Sequence, residues 1–325
     1  MTLQGAASNL LSLRSSTAGT QWKIDPQGTR TVGYLDVQDS NNTNATVIQP
    51  LNTTDSGNTT NWFNYTTISG TAYSDEGTTA LTAKVVRVAV NGTDHGTTAT
   101  TDGAGAYSIS NVLTLAGDVV TVYLEDEAED AVVVTVSDGN DLTGLNLYQD
   151  RLIVRQDNAG SLTNANLSTG AVAGETDISG IYAVSGSTLT LVSGKELFIW
   201  SGDTYAPGGT VTADDVDLNG TWTAGSNAIN VSGDMDMTGG TFTAGTSSVT
   251  LNGAADQTLT TNAQTFYALT LNNTGASGSD DIIISGALDV NNTLTITDGD
   301  LDIGTNDPAV NTAGDVTIAS AGSVD

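Results

Sequence analysis

The feature that most constrains the fold of this chain is a repeat of twenty residues. The segment from Gly220 to Gly253 reads GTWTAGSNAINVSGDMDMTGGTFTAGTSSVTLNG, and its second half restates the first. The aligned pairs include Gly220/Gly240, Gly225/Gly245, Gly233/Gly253, Trp222/Phe242 and Ile229/Val249. A period near twenty with short β segments is typical of a β-solenoid, in which one repeat forms one coil.

Alternating residues indicate which side of each coil is buried. Successive side chains of a strand point to opposite faces, so every second residue belongs to the core. The predicted inward residues are Val216, Leu218, Met235, Met237, Leu301 and Ile303, and Asp300 and Asp302 take the outward positions. One coil cannot bury its apolar residues alone, whereas stacked coils build a continuous core. We expect glycine and asparagine at the corners to supply the positive φ of tight turns.

Composition favours an all-β protein. Only 5% of residues are aromatic and four are proline, and no segment carries the apolar spacing of a helix, so we expect almost no helix. The chain lacks cysteine, which excludes disulfides and cysteine-based catalysis or metal binding. No apolar run is long enough to span a bilayer, and we expect no membrane insertion. The sequence at both termini continues the strand pattern and shows no capping element, so we expect the chain to be part of a longer pattern of strands.

The charge balance is strongly acidic. Thirty-seven acidic residues against eight basic ones give a formal net charge of -29, which argues against nucleic acid as a partner. Lys195 is the last basic residue, and seventeen acidic residues follow it. Such a surface requires cations or salt around it.

Residues 1–66 read as short strands, LLSL, QWKI, TVGYLDV and ATVI, that end in the turn-rich run NTTDSGNTTNWFN. The phrase RTVGYLDVQDSNNTNAT, followed by Asp-Ser-Gly-Asn and Asn-Trp, resembles the final coils of right-handed parallel β-helices in large microbial surface proteins. The resemblance covers about sixty residues. It implies that residues 1–66 are the terminal coils of a β-helix.

Residues 67–148 have longer strands and hairpin turns at Asn91-Gly92 and Asp138-Gly139. The phrase ISG at 68–70, the alternating VVRVAV and the turn TDGAGAYSI at 101–109 resemble the carboxypeptidase-regulatory-like, or collagen-binding B-type, β-sandwich family. That resemblance implies an Ig-like antiparallel sandwich that serves as a spacer. Some members of that family carry a Lys-Asn crosslink, but no asparagine partner can be matched to Lys84.

Residues 149–325 complete the predicted fold as a β-solenoid with coils of about twenty residues.

Acidic pairs are the strongest chemical signal. Two aspartates spaced by two on a strand share a face, and neighbouring coils lie ~4.8 Å apart, where like charges repel by about 0.9 kcal/mol even in water. Oxygen-only ligands select hard cations such as Ca²⁺. A solvated acidic face is the more frequent alternative. The candidate calcium ligands are Asp215, Asp217, Asp234, Asp236, Asp298, Asp300 and Asp302, with EDEAED at 125–130 and SDGND at 137–141 as further sites.

No catalytic residue is predicted. The sole histidine, His95, is expected at a hairpin tip, where it is a turn residue and no ligand or base. Neither phosphate-binding loop motif occurs. Eleven N-x-[ST] sequons are present. The cluster predicted for glycosylation, if the source modifies its surface proteins, comprises Asn41, Asn44, Asn52, Asn58 and Asn64.

Three functions fit these features. The first is an extracellular or cell-surface structural protein, a subunit of a filament, stalk or surface layer that assembles with itself head to tail. The second is an adhesin that binds glycans through exposed aromatic residues such as Trp200 and Tyr205, although we expect Trp200 to fill the core. The third is a polysaccharide-degrading β-helix enzyme. Because no basic residue follows Lys195, the C-terminal solenoid lacks the catalytic base that a lyase needs. A hydrolase would need two carboxylates, such as Asp280 and Asp281, and aromatic residues on which the sugar rings stack.

Overall fold

The computed structural model of the chain describes residues 1–304, 306 and 308–324. The described residues form an almost entirely β protein. They divide into two compact units, one of residues 1–66 and 110–115 and the other of residues 67–109 and 116 onward. The strands of the first part of the chain are β1 Thr2–Gln4, β2 Leu11–Leu13, β3 Trp22–Ile24, β4 Thr31–Gly33, β5 Leu35–Val37, β6 Ser40–Asn42, β7 Thr54–Asp55 and β8 Thr59–Thr60.

The N-terminal strands form stacked parallel coils. Three short parallel sheets have the orders β1-β4, β2-β5-β7 and β3-β6-β8, so each sheet takes one strand from successive coils. Leu35 and Val37 of β5 are fully buried together with Trp62. The Trp62 indole Nε1 donates a hydrogen bond to the Ser40 hydroxyl at 2.8 Å, which satisfies its polar atom inside the core.

The following segment contains antiparallel strands. Its strands are β9 Tyr65–Tyr73, β10 Val85–Val90, β11 Thr93–Thr100, β12 Ala106–Leu113, β13 Val119–Leu124, β14 Val132–Val136 and β15 Leu147–Tyr148. Strand β10 pairs antiparallel with both β11 and β13, and β13 pairs antiparallel with β14. The turn between β10 and β11 uses positive φ at Asn91 and Gly92, as the sequence predicts. Strand β14 also pairs in parallel with β16, so β10, β11, β13 and β14 share a sheet with the solenoid that follows.

The remaining strands build the longer solenoid. They are β16 Arg151–Val154, β17 Tyr182–Ser185, β18 Thr188–Leu191, β19 Glu196–Ile199, β20 Thr204–Tyr205, β21 Val211–Ala213, β22 Asp215–Leu218, β23 Thr221–Thr223, β24 Ala228–Val231, β25 Met235–Asp236, β26 Thr241–Thr243, β27 Ser248–Leu251, β28 Gln257–Thr260, β29 Thr265–Asn272, β30 Asp281–Ser285, β31 Leu288–Asp302, β32 Val310–Thr312 and β33 Val316–Val324. Two short helices, α1 Asn164–Gly170 and α2 Thr176–Ser179, lie between β16 and β17. Thr163 caps α1 in a capping box with Asn166.

Strands of successive coils stack in three parallel ladders. The first ladder runs β16-β19-β22-β25-β28-β30-β31, the second β18-β21-β24-β27-β29-β31-β33, and the third β20-β23-β26. Trp222 lies opposite Phe242, and Ile229 opposite Val249. The twenty-residue repeat is therefore the register of the solenoid, and the prediction of a β-solenoid is confirmed.

The predicted inward residues form the core. Val216, Leu218, Met235, Met237 and Leu301 are each at most 2% exposed, and Ile303 packs against the same cluster. Asp300 and Asp302 have the opposite parity and remain half-buried. Strand parity and coil period together account for the arrangement of the core.

Candidate functional site

The acidic pairs lie on the outer face of the first ladder. Glu196 of β19 lies opposite Asp215 of β22, and Asp217 lies opposite Asp236 of β25. These residues line a cleft of about 270 Å³. The acidic residues of its wall are Glu76, Glu196, Asp215, Asp217, Asp234 and Asp236. Four of the seven predicted calcium ligands are thus brought together, because strand parity places them on one face and coil stacking aligns them.

One arginine enters this carboxylate cluster. Arg151 of β16 is the register partner of Glu196, and its Nε lies 2.7 Å from the Glu196 Oε2 atom. Its Nη2 lies 2.8 Å from the Glu76 Oε1 atom. Arg151 therefore forms ion pairs with two of the six acidic residues of the cleft, Glu76 and Glu196.

Burial and mutual repulsion change the acidity of the cleft. Burial raises the pKa of Glu196 to about 7, against the opposing attraction of Arg151. Burial also raises the pKa of Asp217 to about 6, and neighbouring Glu76 and Asp236 add to the increase. The pKa of Asp215 is raised for the same main reason. Loss of hydration destabilises an ionised carboxylate in this cleft, and a bound cation would offset that cost.

Among the residues that the structure describes, three groups of carboxylates have a geometry that can hold a cation. Within each group the oxygen atoms lie within 4.8 Å of one another. The groups are Glu76/Glu196/Asp217, Glu125/Glu175/Asp177 and Asp280/Asp281/Asp300. Oxygen-only ligand sets of this kind suit Ca²⁺. Of the predicted ligands, Asp217 and Asp300 belong to such groups.

The other predicted acidic residues have local partners. Asp298 precedes Gly299 on β31 and accepts a hydrogen bond from its backbone nitrogen at 3.1 Å. Asp300 and Asp302 lie opposite Asp281 and Ile283 of β30, away from the cleft. In the run 125–130, Glu127 and Glu129 form ion pairs with Lys84. In the run 137–141, Asp138 accepts hydrogen bonds from Asn140 within the turn.

An aromatic groove adjoins the acidic cleft. Tyr148, Phe198 and Trp200 line a cavity of about 240 Å³ together with Glu76, which also belongs to the cleft. The ring centroids of Tyr148 and Phe198 are 5.3 Å apart, and those of Phe198 and Trp200 are 6.0 Å apart. The Arg155 guanidinium carbon lies 5.6 Å from the centroid of the Trp200 ring, a cation–π distance.

The expectation that Trp200 fills the core is wrong. Ile199 is fully buried, so strand parity turns its neighbour Trp200 outward into the groove. Tyr205, considered as an exposed binding residue, is instead fully buried. Its hydroxyl donates a hydrogen bond to the Asn164 side-chain oxygen at 2.5 Å.

Sequence reasoning missed Glu76 and Glu196 as members of the cleft. Glu196 could have been found, because Leu197 and Ile199 of KELFIW align with the inward Val216 and Leu218 of β22 and thereby place Glu196 opposite Asp215. Glu76 lies in the turn after β9, more than one hundred residues away in sequence, and no local pattern connects it to β19. His95 lies on strand β11, past the turn where it was expected, and is half-buried.

The predicted glycosylation sites differ in accessibility. Asn52 is exposed, and Asn41 is half-buried on β6. The side-chain nitrogens of the other three are engaged: that of Asn44 donates to Asp25 and Pro26, that of Asn58 to Asp39, and that of Asn64 to Thr114. Asn52 is therefore the most accessible acceptor of the five.

No protein-family model matches the chain, and neither a curated protein nor a solved structure matches it. Among the described residues, no helix is long and apolar enough to cross a membrane.

Proposed function

We propose that this chain is an extracellular, cell-surface structural protein whose copies assemble head to tail through their solenoid coils. The observation that carries the proposal is the outer side of β33. Val316 and Ile318 of β33 are the register partners of Leu294 and Ile296. Those two partners are at most 2% exposed, whereas Val316 is 51% and Ile318 is 50% exposed.

The N-terminal coils offer a similar stacking surface. Leu11 of β2 is the register partner of Leu35, yet Leu11 is 39% exposed while Leu35 is fully buried. Exposed apolar ladder positions and unpaired strand edges are a template for a further strand. The β33 surface of one copy stacking on the β2 surface of the next would form a heterologous contact, which generates open filaments.

The remaining features support a structural role. The acidic outer face suits a surface exposed to salt and cations, and the antiparallel strands of residues 67–148 would act as a spacer if they are a carboxypeptidase-regulatory-like module. We propose no catalytic activity for the chain.

Complementary charge substitutions test the assembly. Wild-type protein is expected to sediment as concentration-dependent polymers and to form fibres in negatively stained images. Ile318→Asp blocks one surface and Leu11→Asp the other, so each variant alone is expected to remain monomeric. A mixture of the two retains one intact pair of surfaces and is expected to form dimers that do not grow.

The matched control is Thr317→Asp, which adds the same charge at an exposed residue between Val316 and Ile318 on the opposite parity. This variant is expected to polymerise like the wild type. A wild-type protein that stays a monodisperse monomer at high concentration would contradict the proposal, as would polymers that grow equally well with Asp at position 318.

Glycan binding is a second candidate function, and the aromatic groove favours it. Aromatic faces with adjoining carboxylates can stack on sugar rings and accept hydrogen bonds from their hydroxyls. A glycan array tests this function: selective binding that Trp200→Ala abolishes would support an adhesin, and an absence of selective binding would exclude it.

A further inference from the structure

A second candidate binding site lies in the N-terminal coils. A cavity of about 480 Å³ is formed between β4, the side chain of Gln4 and the segment 48–52. No acidic residue occurs among the described residues that line it, and Arg30 supplies a positive charge. The residues that line this cavity include neither Leu11, Val316 and Ile318 of the proposed assembly surfaces nor any residue of the aromatic groove, so binding here can be tested separately.

Arg30 is fixed by backbone carbonyls and is not neutralised by a carboxylate. Its Nη1 donates to the carbonyl oxygens of Thr46 at 2.9 Å and Val47 at 3.2 Å, and its Nη2 donates to that of Pro26 at 2.9 Å. Among the described residues, no acidic group forms an ion pair with it. The six basic residues that do have acidic partners are Arg14, Lys84, Arg87, Arg151, Arg155 and Lys195.

The guanidinium retains donors for a ligand. Arginine has five N–H groups, and the three hydrogen bonds to carbonyls leave two of them without a partner in the described part of the chain. A planar guanidinium with free donors binds a carboxylate with favourable geometry. In a chain with a net charge of -29, a fixed arginine without an acidic partner therefore points to an anionic ligand.

The local charge permits an anion to approach. Residues 1–66 contain four aspartates and no glutamate, against Arg14, Lys23 and Arg30, so their net charge is -1 (three positive minus four negative). The strong negative charge of the protein resides in the rest of the sequence.

Uncharged polar groups surround the arginine. Within the described structure, the side-chain amides of Gln4 and Asn52 and the hydroxyl of Tyr34 make no hydrogen bond, and all three residues line the cavity. Gln49 accepts a hydrogen bond from the Asn64 backbone through Oε1, which leaves its amide nitrogen as a donor. Leu51, which is 73% exposed, adds an apolar surface. Amide and hydroxyl groups beside apolar surface suit a ligand with several hydroxyl groups.

The backbone at the cavity is held in an uncommon conformation. Tyr34, Gln49 and Asn52 all have positive φ, at 52°, 47° and 48°. For residues other than glycine this region is sparsely populated, and such residues concentrate at binding sites. All three residues line the cavity, Tyr34 from the corner between β4 and β5, and Gln49 and Asn52 from the segment before β7.

We propose that this cavity binds a uronic acid, a sugar unit whose carboxylate pairs with Arg30 and whose hydroxyls bind the surrounding amides. The single positive charge matches a single carboxylate. A cavity of about 480 Å³ falls within the size range of small-molecule sites, which is larger than an inorganic anion needs. An inorganic anion would also leave Gln4, Gln49 and Asn52 without a role.

Titration of the full-length protein with the methyl glycoside of glucuronic acid tests the site, with binding followed by calorimetry or ligand-observed NMR. We expect saturable binding of this probe. Methyl glucoside, which lacks the carboxylate, and acetate, which lacks the sugar, are each expected to bind at least about tenfold more weakly. Acetate that binds as well as the glucuronide would overturn the assignment to a sugar, and an absence of saturable binding in the millimolar range would overturn the site.

Two variants and a control locate the binding. Arg30→Gln is expected to weaken binding at least about tenfold. Lys23→Gln removes the same charge from an exposed residue outside the cavity and is expected to bind like the wild type. If Arg30→Gln does not fold, the double variant Gln4→Ala/Asn52→Ala tests the binding site instead. It is expected to fold, because neither side-chain amide has a hydrogen bond to lose in the described structure. Undiminished binding by that double variant would overturn the proposal.

Discussion

The glycines of the repeat serve two different physical purposes. Gly225 and Gly245 have positive φ, as expected for coil corners. Gly220 and Gly240 do not, and they are required because coils approach closely there: a Cβ at Gly240 would lie 2.4 Å from the Gly220 carbonyl oxygen and 2.5 Å from that of Leu218. The prediction that corner glycines supply positive φ is therefore correct for Gly225 and Gly245. It is wrong for Gly220 and Gly240, where glycine is required by the close approach of the coils.

Glu196 is the residue whose ionisation affects folding most clearly. Its folded-state pKa of about 7 lies above the ordinary value of 4.5, so the folded state favours the protonated carboxyl. The contribution of Glu196 to stability is therefore most favourable below pH 4.5. It is lost as pH rises through 7, because the folded protein must then hold a buried carboxylate. Asp217, with a pKa raised to about 6, acts in the same direction.

We predict that Glu196→Gln stabilises the protein at pH 8 and has little effect below about pH 4.5. The gain at pH 8 is at most on the order of 3 kcal/mol, which corresponds to the shift in pKa. Urea unfolding of both proteins at a series of pH values measures this difference. The groups that face Glu196 are Arg151 on β16, Glu76 in the turn after β9, and Asp215 and Asp217 on β22.

Asp315→Asn is the matched control, since it removes one negative charge at an exposed residue. Its effect on stability is expected to stay within about 0.5 kcal/mol at each pH. A Glu196→Gln protein whose stability relative to wild type does not change between pH 5 and pH 8 would contradict the assigned burial.

At the scale of the element, an aromatic stack links four successive coils. Tyr205, Trp222, Phe242 and Phe266 lie on top of one another inside the solenoid, with centroid distances of 5.7, 5.9 and 5.6 Å along the series. All four residues are at most 5% exposed. Because each coil contacts only its neighbours, the stack adds an interface term at each step.

We predict that Trp222→Ala destabilises the protein by about 3 to 5 kcal/mol, because it removes the largest ring of the stack and leaves a cavity. Thr223→Ala, at the adjacent exposed residue, is expected to change stability by less than about 0.5 kcal/mol. Chemical denaturation followed by circular dichroism gives both values. A loss below about 1 kcal/mol for Trp222→Ala would mean that the ring does not bridge the coils as described.

The elements that repeat could be predicted from the sequence, and those that do not repeat could not. The alignment of Trp222 with Phe242 gives the register directly, because stacked coils place equivalent residues opposite each other. The position of Trp200 was predicted wrongly, because the burial of its neighbour Ile199 places the Trp200 ring on the outer side, in the aromatic groove. Of the acidic cleft, the sequence predicted only the Asp pairs, because Glu76 is distant from them in sequence. The cavity at Arg30 could not be predicted, because it depends on the φ angles of coil corners, which the sequence does not reveal.

At the scale of the whole sequence, charge is distributed unevenly among the faces of the solenoid. The outer face of the first ladder carries Glu196 of β19, Asp215 and Asp217 of β22, and Asp236 of β25. The second ladder presents an uncharged outward column, Thr190, Thr212, Asn230, Thr250, Thr270, Thr295 and Thr317, in which each residue is the register partner of the next. Repulsion among carboxylates is therefore concentrated on one face.

We predict that NaCl raises the melting temperature of the protein as its concentration increases from about 10 mM to 150 mM, because the Debye length shortens from ~30 Å to ~8 Å across that range. Screening of the acidic face is sufficient for this effect, so CaCl₂ at matched ionic strength is expected to give the same increase as MgCl₂. Differential scanning calorimetry measures all three series.

The Asp217→Asn variant separates screening from a specific calcium site. If screening alone operates, this variant keeps the salt dependence of the wild type with only a small change, because it removes one of the 37 acidic residues. An additional increase with calcium that magnesium does not produce, and that Asp217→Asn removes, would contradict screening alone. The cleft between Glu76, Glu196 and Asp217 would then be a calcium site that stabilises the solenoid.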